Sequence, residues 1–311
     1  MGKCAVEAVF LRPNRAEKSV MKENKTKYIL FILLQSLVYG IGNPITKVAY
    51  ESITPFWLLA GRFAVTSLVY AALFGGRIRR QMKNTVVSDW LPPALCCAGA
   101  YISCNLALDI APATTIGFLI SLPVLFTPPL EALVFHRKYD FSRLPVQLVL
   151  TVGLFLLCCG ESGFTFGFGE ALGLFDAFCV AGILVFGERA LKKIDAAVLS
   201  SMQAFVTFSL SVLGAFLLDD IAVLAGVQWE AWAVVLYLAL GCTVLAYLLQ
   251  NYAVAHLSAG TVSMLQCTQP ILTAVISYLM LGETLSGVAL GGGVLILAAL
   301  LFDGWRESRK K

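Results

Sequence analysis

Three charged side chains interrupt stretches of this chain that are otherwise apolar: Arg62, Asp176 and Glu131. Arg62 lies seven residues after Pro55. A guanidinium at that depth in hydrocarbon costs on the order of 2.5–3.5 kcal/mol unless it meets a partner or water. One solution is a planar, bidentate clamp on a carboxylate or other anion. The other is an ion pair with Asp176, or contact with carbonyls at helix ends, and a ligand could displace such a pair. Asp176 and Glu131 are the two candidates for reversible proton binding, with Asp176 the better placed. Glu131 follows Pro128-Pro129 and precedes His136, Arg137 and Lys138, so a snorkelled salt bridge would also account for it. Lys47, at the end of the first apolar stretch, complements a helix dipole and can reach water.

Neutral polar groups mark where a cavity would lie. Asn43, Asn105, Gln203, Gln266 and Gln269 are amides in four different apolar stretches. Each needs a hydrogen-bond partner, found either in another helix or in a wet pocket, and convergence of all five would favour the pocket. Tyr39, Tyr101 and Tyr247 are deep enough to stack on a ligand. Trp57, Trp90, Trp229, Trp232 and Trp305 read as boundary anchors, ring buried and N–H hydrated. Pro123 and Pro270 fall near the middle of their stretches, and paired helix interruptions of this kind point to a central binding site, although a packing kink has the same signature. Gly260, Ser263, Cys267, Pro270, Ala274 and Ser277 share one helical face, and Thr114, Gly117, Ser121, Pro128 and Glu131 form a similar stripe. The two stripes either line the centre as counterparts or serve close packing.

No residue set suggests an enzyme, metal or cofactor. Eight of the nine cysteines lie inside the apolar stretches without CxxC or Cys/His spacing, as small packing residues do. His136 and His256 stand at stretch ends, away from any His/Asp/Glu cluster. A Walker A loop is missing, so transport, if that is the function, is not ATP-driven. No basic patch interleaves with aromatics, which argues against nucleic acid as a partner.

The elements that must position these groups are membrane helices. Ten stretches, at 28–48, 55–74, 90–108, 113–135, 144–159, 171–186, 197–218, 229–250, 258–281 and 286–301, are each close to the ~20 residues that cross a ~30 Å hydrocarbon core. The composition, 59% hydrophobic and 14% charged with a mean hydropathy of +0.81, excludes an ordinary soluble domain. With ten spans, 21 of the 23 Lys and Arg fall on one side, which the positive-inside rule makes cytoplasmic, together with both tails. Only Lys47 and Arg62 escape it. The first 20 residues carry bases but no apolar core, so they do not read as a signal peptide.

An offset of 147 residues aligns Leu37-Val38-Tyr39-Gly40 with Leu184-Val185-Phe186-Gly187 and Pro123-Val124-Leu125 with Pro270-Ile271-Leu272. After a gap of six, Leu58-x3-Arg62 falls on Leu199-x3-Gln203. Five helices per copy is an odd number, so the second copy enters from the opposite side. The expected fold is therefore all-α: ten transmembrane helices in two inverted five-helix repeats. Residues 1–27 form a disordered tail, 28–160 the first repeat, 170–303 the second, and 304–311 a closing tail.

Gly40-x6-Lys47, Pro55-x6-Arg62, and Gln269-Pro270 followed by Gly282-Glu283-Thr284-Leu285 together resemble the EamA-type branch of the drug/metabolite transporter superfamily. The resemblance covers about 28–303, with Phe135-His136 where the first-half counterpart of Gly282-Glu283 would stand, and Tyr39 where tryptophan is common. It implies alternating access in a bacterial inner membrane. The expected function is secondary transport of amino acids or related carboxylates, directed outward. Drug-like or cationic compounds are the alternative substrates, and a membrane sensor or scaffold is the reading from a different class. The expected partners are a small-molecule substrate, the lipid bilayer and a coupling proton. Oligomeric state cannot be read.

Overall fold

The structure is a computed structural model, and it describes residues 15–111, 113–136, 138–159, 166–281 and 286–309. Expectations resting on the side chains of Asn43, Lys47, Thr114 and Ser277, or on Arg137 and 282–285, lie outside the described residues.

Every regular element among the described residues is helical. In chain order they are α1 (Arg15–Ala49), α2 (Pro55–Met82), α3 (Val87–Ile110), α4 (Ala113–Leu119), α5 (Pro123–Val134), α6 (Leu144–Cys159), α7 (Phe168–Ala190) and α8 (Ala196–Leu218). Then follow α9 (Trp229–Ala239), a π-helical turn (Leu240–Leu245), α10 (Ala246–Val254), α11 (Ala259–Gln266), α12 (Gln269–Leu281) and α13 (Gly287–Arg309). Eight stretches among the described residues are long and apolar enough to cross a membrane. The remaining two expected stretches are also helical, one inside α1 and one divided between α11 and α12. Helix α1 covers 15–27, so the expected disordered tail is corrected for those residues, where Lys- and Glu-rich sequence lets the helix continue beyond its apolar part.

The molecule is built inside out relative to a water-soluble protein. Leu68 and Leu218 are each 72% exposed, whereas Gln35 is 0% and Asn251 1% exposed. Lipid tails can cover the leucines, but amides need internal partners. Helix contacts accordingly rest on small residues and polar bonds. A Cβ at Gly292 would lie 2.6 Å from the Gly153 carbonyl oxygen, so α6 and α13 touch backbone to backbone. They run antiparallel, since Arg306 near the end of α13 donates to the Ser142 carbonyl just before α6. Helices α2 and α8 are also antiparallel neighbours: Thr54 bonds Asp219 at one end, and Gln81 Oε1 accepts from Asp195 N at 3.0 Å at the other. Helix α3 packs along α7, and α1 packs on α10 and α12.

Two breaks position the interior. Pro123 opens α5 directly after α4 ends, and Pro270 sits in the first turn of α12 after α11 ends. A proline is tolerated there because the first turn leaves its N–H groups unbonded. The anchor expectation is corrected for Trp57, which is 8% exposed and packed with Phe56, Leu58, Ala215 and Val235. It lies in the first turn of α2, where α8 and α9 close over it. Trp229, Trp232 and Trp305 are exposed.

Candidate functional site

A cavity of about 140 Å³ lies between the two halves of the chain. From the expected set, Tyr39, Arg62, Tyr101, Asn105 and Pro123 line it from the first half. Asp176, Gln203, Gln266 and Gln269 line it from the second. Asn43 shares α1 with Tyr39, but its side chain lies outside the described residues.

Arg62 is buried; its two shorter hydrogen bonds go to the π-helical turn, and a longer one of 3.5 Å runs from Nη2 to Tyr101 OH on α3. Its Nε donates to Thr243 Oγ1 at 2.7 Å, and its Nη2 to the Cys242 carbonyl at 3.2 Å. The guanidinium lies 4.8 Å from the Tyr101 ring centroid, a favourable cation–π distance. In a regular α-helix each interior carbonyl is taken by the N–H four residues on, and a π turn loosens that pairing. The turn is held from one face of α2: Thr66 Oγ1 bonds the Ala239 carbonyl at 3.3 Å and Tyr70 OH the Val244 carbonyl at 2.9 Å. Arg62, Thr66 and Tyr70 are spaced four apart, so they stack on one side of their helix. Of the partners the sequence left open for Arg62, Asp176 is not one it bonds, while a backbone carbonyl is. Arg62 takes a carbonyl and a hydroxyl instead, leaving Nη1 without a partner among the described residues.

Asp176, on α7, is 3% exposed and forms no hydrogen bond or ion pair with the described residues. It faces the same cavity as Arg62. Glu131, the other coupling candidate, does not line the cavity. Its Oε2 accepts from Gly260 N at 3.0 Å, and Glu188 Oε2 accepts from Ala259 N at 2.9 Å, so two carboxylates complete the N-terminus of α11. Pro270 is likewise not on the cavity wall.

The other predicted groups are largely engaged with the protein. Tyr39 and Tyr101 share a hydroxyl–hydroxyl bond of 3.0 Å. Asn105 donates to the Tyr101 carbonyl at 2.8 Å and accepts from Tyr50 OH, so both ends of its amide are occupied. Tyr247 bonds Cys97 Sγ at 2.9 Å. Gln203 Oε1 accepts from Asn251 Nδ2 at 2.9 Å, while its Nε2 has no partner among the described residues. The side chain of Gln269 is unpartnered among the described residues and faces the cavity.

Sequence reasoning missed Thr243, Gln250 and Gln35. The Arg-x3-Thr-x3-Tyr spacing of α2 was the available signal for the first, since three polar side chains on one membrane-helix face need a polar surface opposite. Gln250 stood at the very end of its expected stretch, where an amide would meet water and needs no explanation.

A polytopic helical protein with a polar cavity held between its halves is the architecture of a membrane carrier. The chain belongs to the EamA-like transporter family, which it matches over residues 26–159 and 167–302. An uncharacterized transporter of Archaeoglobus fulgidus is 24% identical over 308 residues, covering 97% of this chain and 93% of that one. The uncharacterized transporter YdfC of Bacillus subtilis is 23% identical, covering 89% and 92%. One crystal structure superposes with a TM-score of 0.74 at 17% identity, over 92% of this chain and 99% of that chain, and so shares its fold.

Proposed function

We propose that the protein is a secondary transporter that moves amino acids or closely related carboxylates outward by alternating access. The observation that carries this reading is the presence of Arg62 and Asp176 on the wall of one cavity, a guanidinium and a carboxyl group that do not bond each other. Buried charges are costly unless paired and hydrogen-bonded. A zwitterion supplies both missing partners, its carboxylate meeting Nη1 of Arg62 and its ammonium meeting Asp176. The cavity volume of about 140 Å³ favours a solute of amino-acid size over a bulky drug; a cavity of roughly 150 Å³ admits a benzene ring.

Ten spans in two inverted repeats, 28–160 and 170–303, would make this cavity the meeting point of two counterpart bundles. The helix pairing supports it. Antiparallel α2 with α8 and α6 with α13 are self-matched pairs under such a repeat, and the packing of α3 on α7 matches that of α10 on α1. In this reading the end rich in basic residues faces the cytoplasm together with both tails, in a cell that carries this protein in its inner membrane. Asp176 is the coupling group in this scheme, holding a proton in the empty carrier and exchanging it for the ammonium of the solute.

The test is thermal stability of the purified protein against amino acids, other carboxylates and organic cations, beside Arg62→Ala and Asp176→Asn. A ligand at about 100 times its dissociation constant adds roughly 2.7 kcal/mol of stability. Amino acids should stabilise the wild type and neither folded variant. Stabilisation by cations alone, lost only in Asp176→Asn, would replace this reading with export of cationic compounds.

A further inference from the structure

Three glutamines from three helices meet at the cavity. Gln35 Nε2 on α1 donates to Gln250 Oε1 on α10 at 2.6 Å. Gln266 Nε2 on α11 donates to the same oxygen at 3.1 Å. Gln35 is fully buried, while Gln250 and Gln266 line the cavity.

A lone carboxamide can rotate to offer either its oxygen or its N–H groups. Gln250 cannot do so alone, because its Oε1 accepts from both Gln35 and Gln266, and turning it without them would set its own N–H groups against two donors. Its Nε2 has no partner among the described residues and is not among their buried, unpartnered atoms. With the three amides in this arrangement, the free side of Gln250 is a donor.

We propose that Gln250, held by Gln35 and Gln266, is the specificity-determining donor for the solute's side chain. It selects solutes with an oxygen acceptor there, a carboxamide, carboxylate or hydroxyl, over apolar ones of the same shape. This rests on the cavity being an amino-acid site, where Arg62 and Asp176 hold the backbone groups. An apolar side chain would leave the Gln250 N–H groups desolvated and unpaired, which is how a site built to hydrogen-bond rejects an analogue lacking the polar atom.

The experiment measures dissociation constants of L-asparagine, L-aspartate and L-leucine for the purified full chain. Asparagine and leucine are near-identical in shape. The wild type should bind asparagine about tenfold more tightly than leucine, the effect of one neutral hydrogen bond, and aspartate more tightly than leucine as well. Gln250→Leu should bring the asparagine-to-leucine ratio close to one. Because that change takes away the acceptor of Gln35 and leaves Gln266 only its longer bond to Gln35 Oε1 at 3.5 Å, Gln250→Glu is the companion variant: it keeps the acceptor and turns the free N–H groups into an oxygen. There aspartate should fall below leucine, while asparagine, able to turn its own N–H groups inward, stays above it. Equal binding of asparagine and leucine by the wild type would overturn the proposal, as would an unchanged aspartate-to-leucine ratio in Gln250→Glu. If amino acids bind without discrimination, only this inference falls; if none binds, the amino-acid reading falls with it.

Discussion

The sequence repeat aligns Arg62 on α2 with Gln203 on α8, and the two meet very different surroundings. Locally they are alike. Thr66 Oγ1 bonds the Arg62 carbonyl at 2.9 Å, and Thr207 Oγ1 bonds the Gln203 carbonyl at 2.8 Å. Across the interface they diverge. Arg62 faces a π-helical turn that yields a carbonyl and a hydroxyl, while Gln203 takes a single side-chain donor, Asn251, and its Nε2 has no partner among the described residues. Thr66 reaches on to the Ala239 carbonyl, whereas Thr207 reaches only the Cys97 thiol at 3.6 Å on regular α3. A buried guanidinium has five N–H donors and no way to lose its charge, so it needs oxygen acceptors that a regular helix does not offer. A neutral amide makes no such demand, and the backbone opposite stays regular.

Deleting Thr243 tests this most severely. It removes an acceptor of Arg62 and closes the π turn, and it should destabilise the wild type by about 3–5 kcal/mol, the cost of stranding a buried charge. In an Arg62→Gln background the same deletion should cost less than half as much in denaturant unfolding. Equal costs in both backgrounds would mean that the turn serves packing rather than the charge.

Gln203→Arg asks the reverse question, placing the charge where no π turn waits. A loss of roughly 2.5–3.5 kcal/mol is expected. An unchanged melting temperature would show that the regular wall can host a guanidinium after all.

The threonines should separate more gently. Thr66→Val should cost about 1 kcal/mol through its bond to Ala239, and Thr207→Val clearly less, because a thiol is a weak acceptor. A pair of melting curves decides it, with equal losses counting against the asymmetry.

The smallest effect concerns another matched pair of positions. His136 follows α5 at φ 51°, in the left-handed region, where its second-half counterpart by the repeat is Glu283. His136→Gly should relieve about 1 kcal/mol of backbone strain. A variant less stable than wild type would show that the imidazole has a compensating role.

Much of this molecule could be read from its residues because the bilayer imposes a length and a polarity on whatever crosses it. The apolar stretches at 55–74, 144–159 and 197–218 fall within or coincide with α2, α6 and α8. Polar residues within such stretches are few enough that Arg62, Asp176, Gln203 and Gln269 stood out, and they line one cavity. Their partners could not be read. Arg62 chose a π turn over Asp176, a choice that depends on which helix face lies opposite and on an irregular backbone, neither of which hydropathy encodes. Trp57 has an anchor's position in the chain but lies under α8 and α9. Gln35 and Gln250 are unremarked amides 215 residues apart until packing brings them to 2.6 Å. Solvation acts on each residue alone and so leaves its mark in the sequence; hydrogen-bond pairing acts between residues, and only the assembled helices decided it.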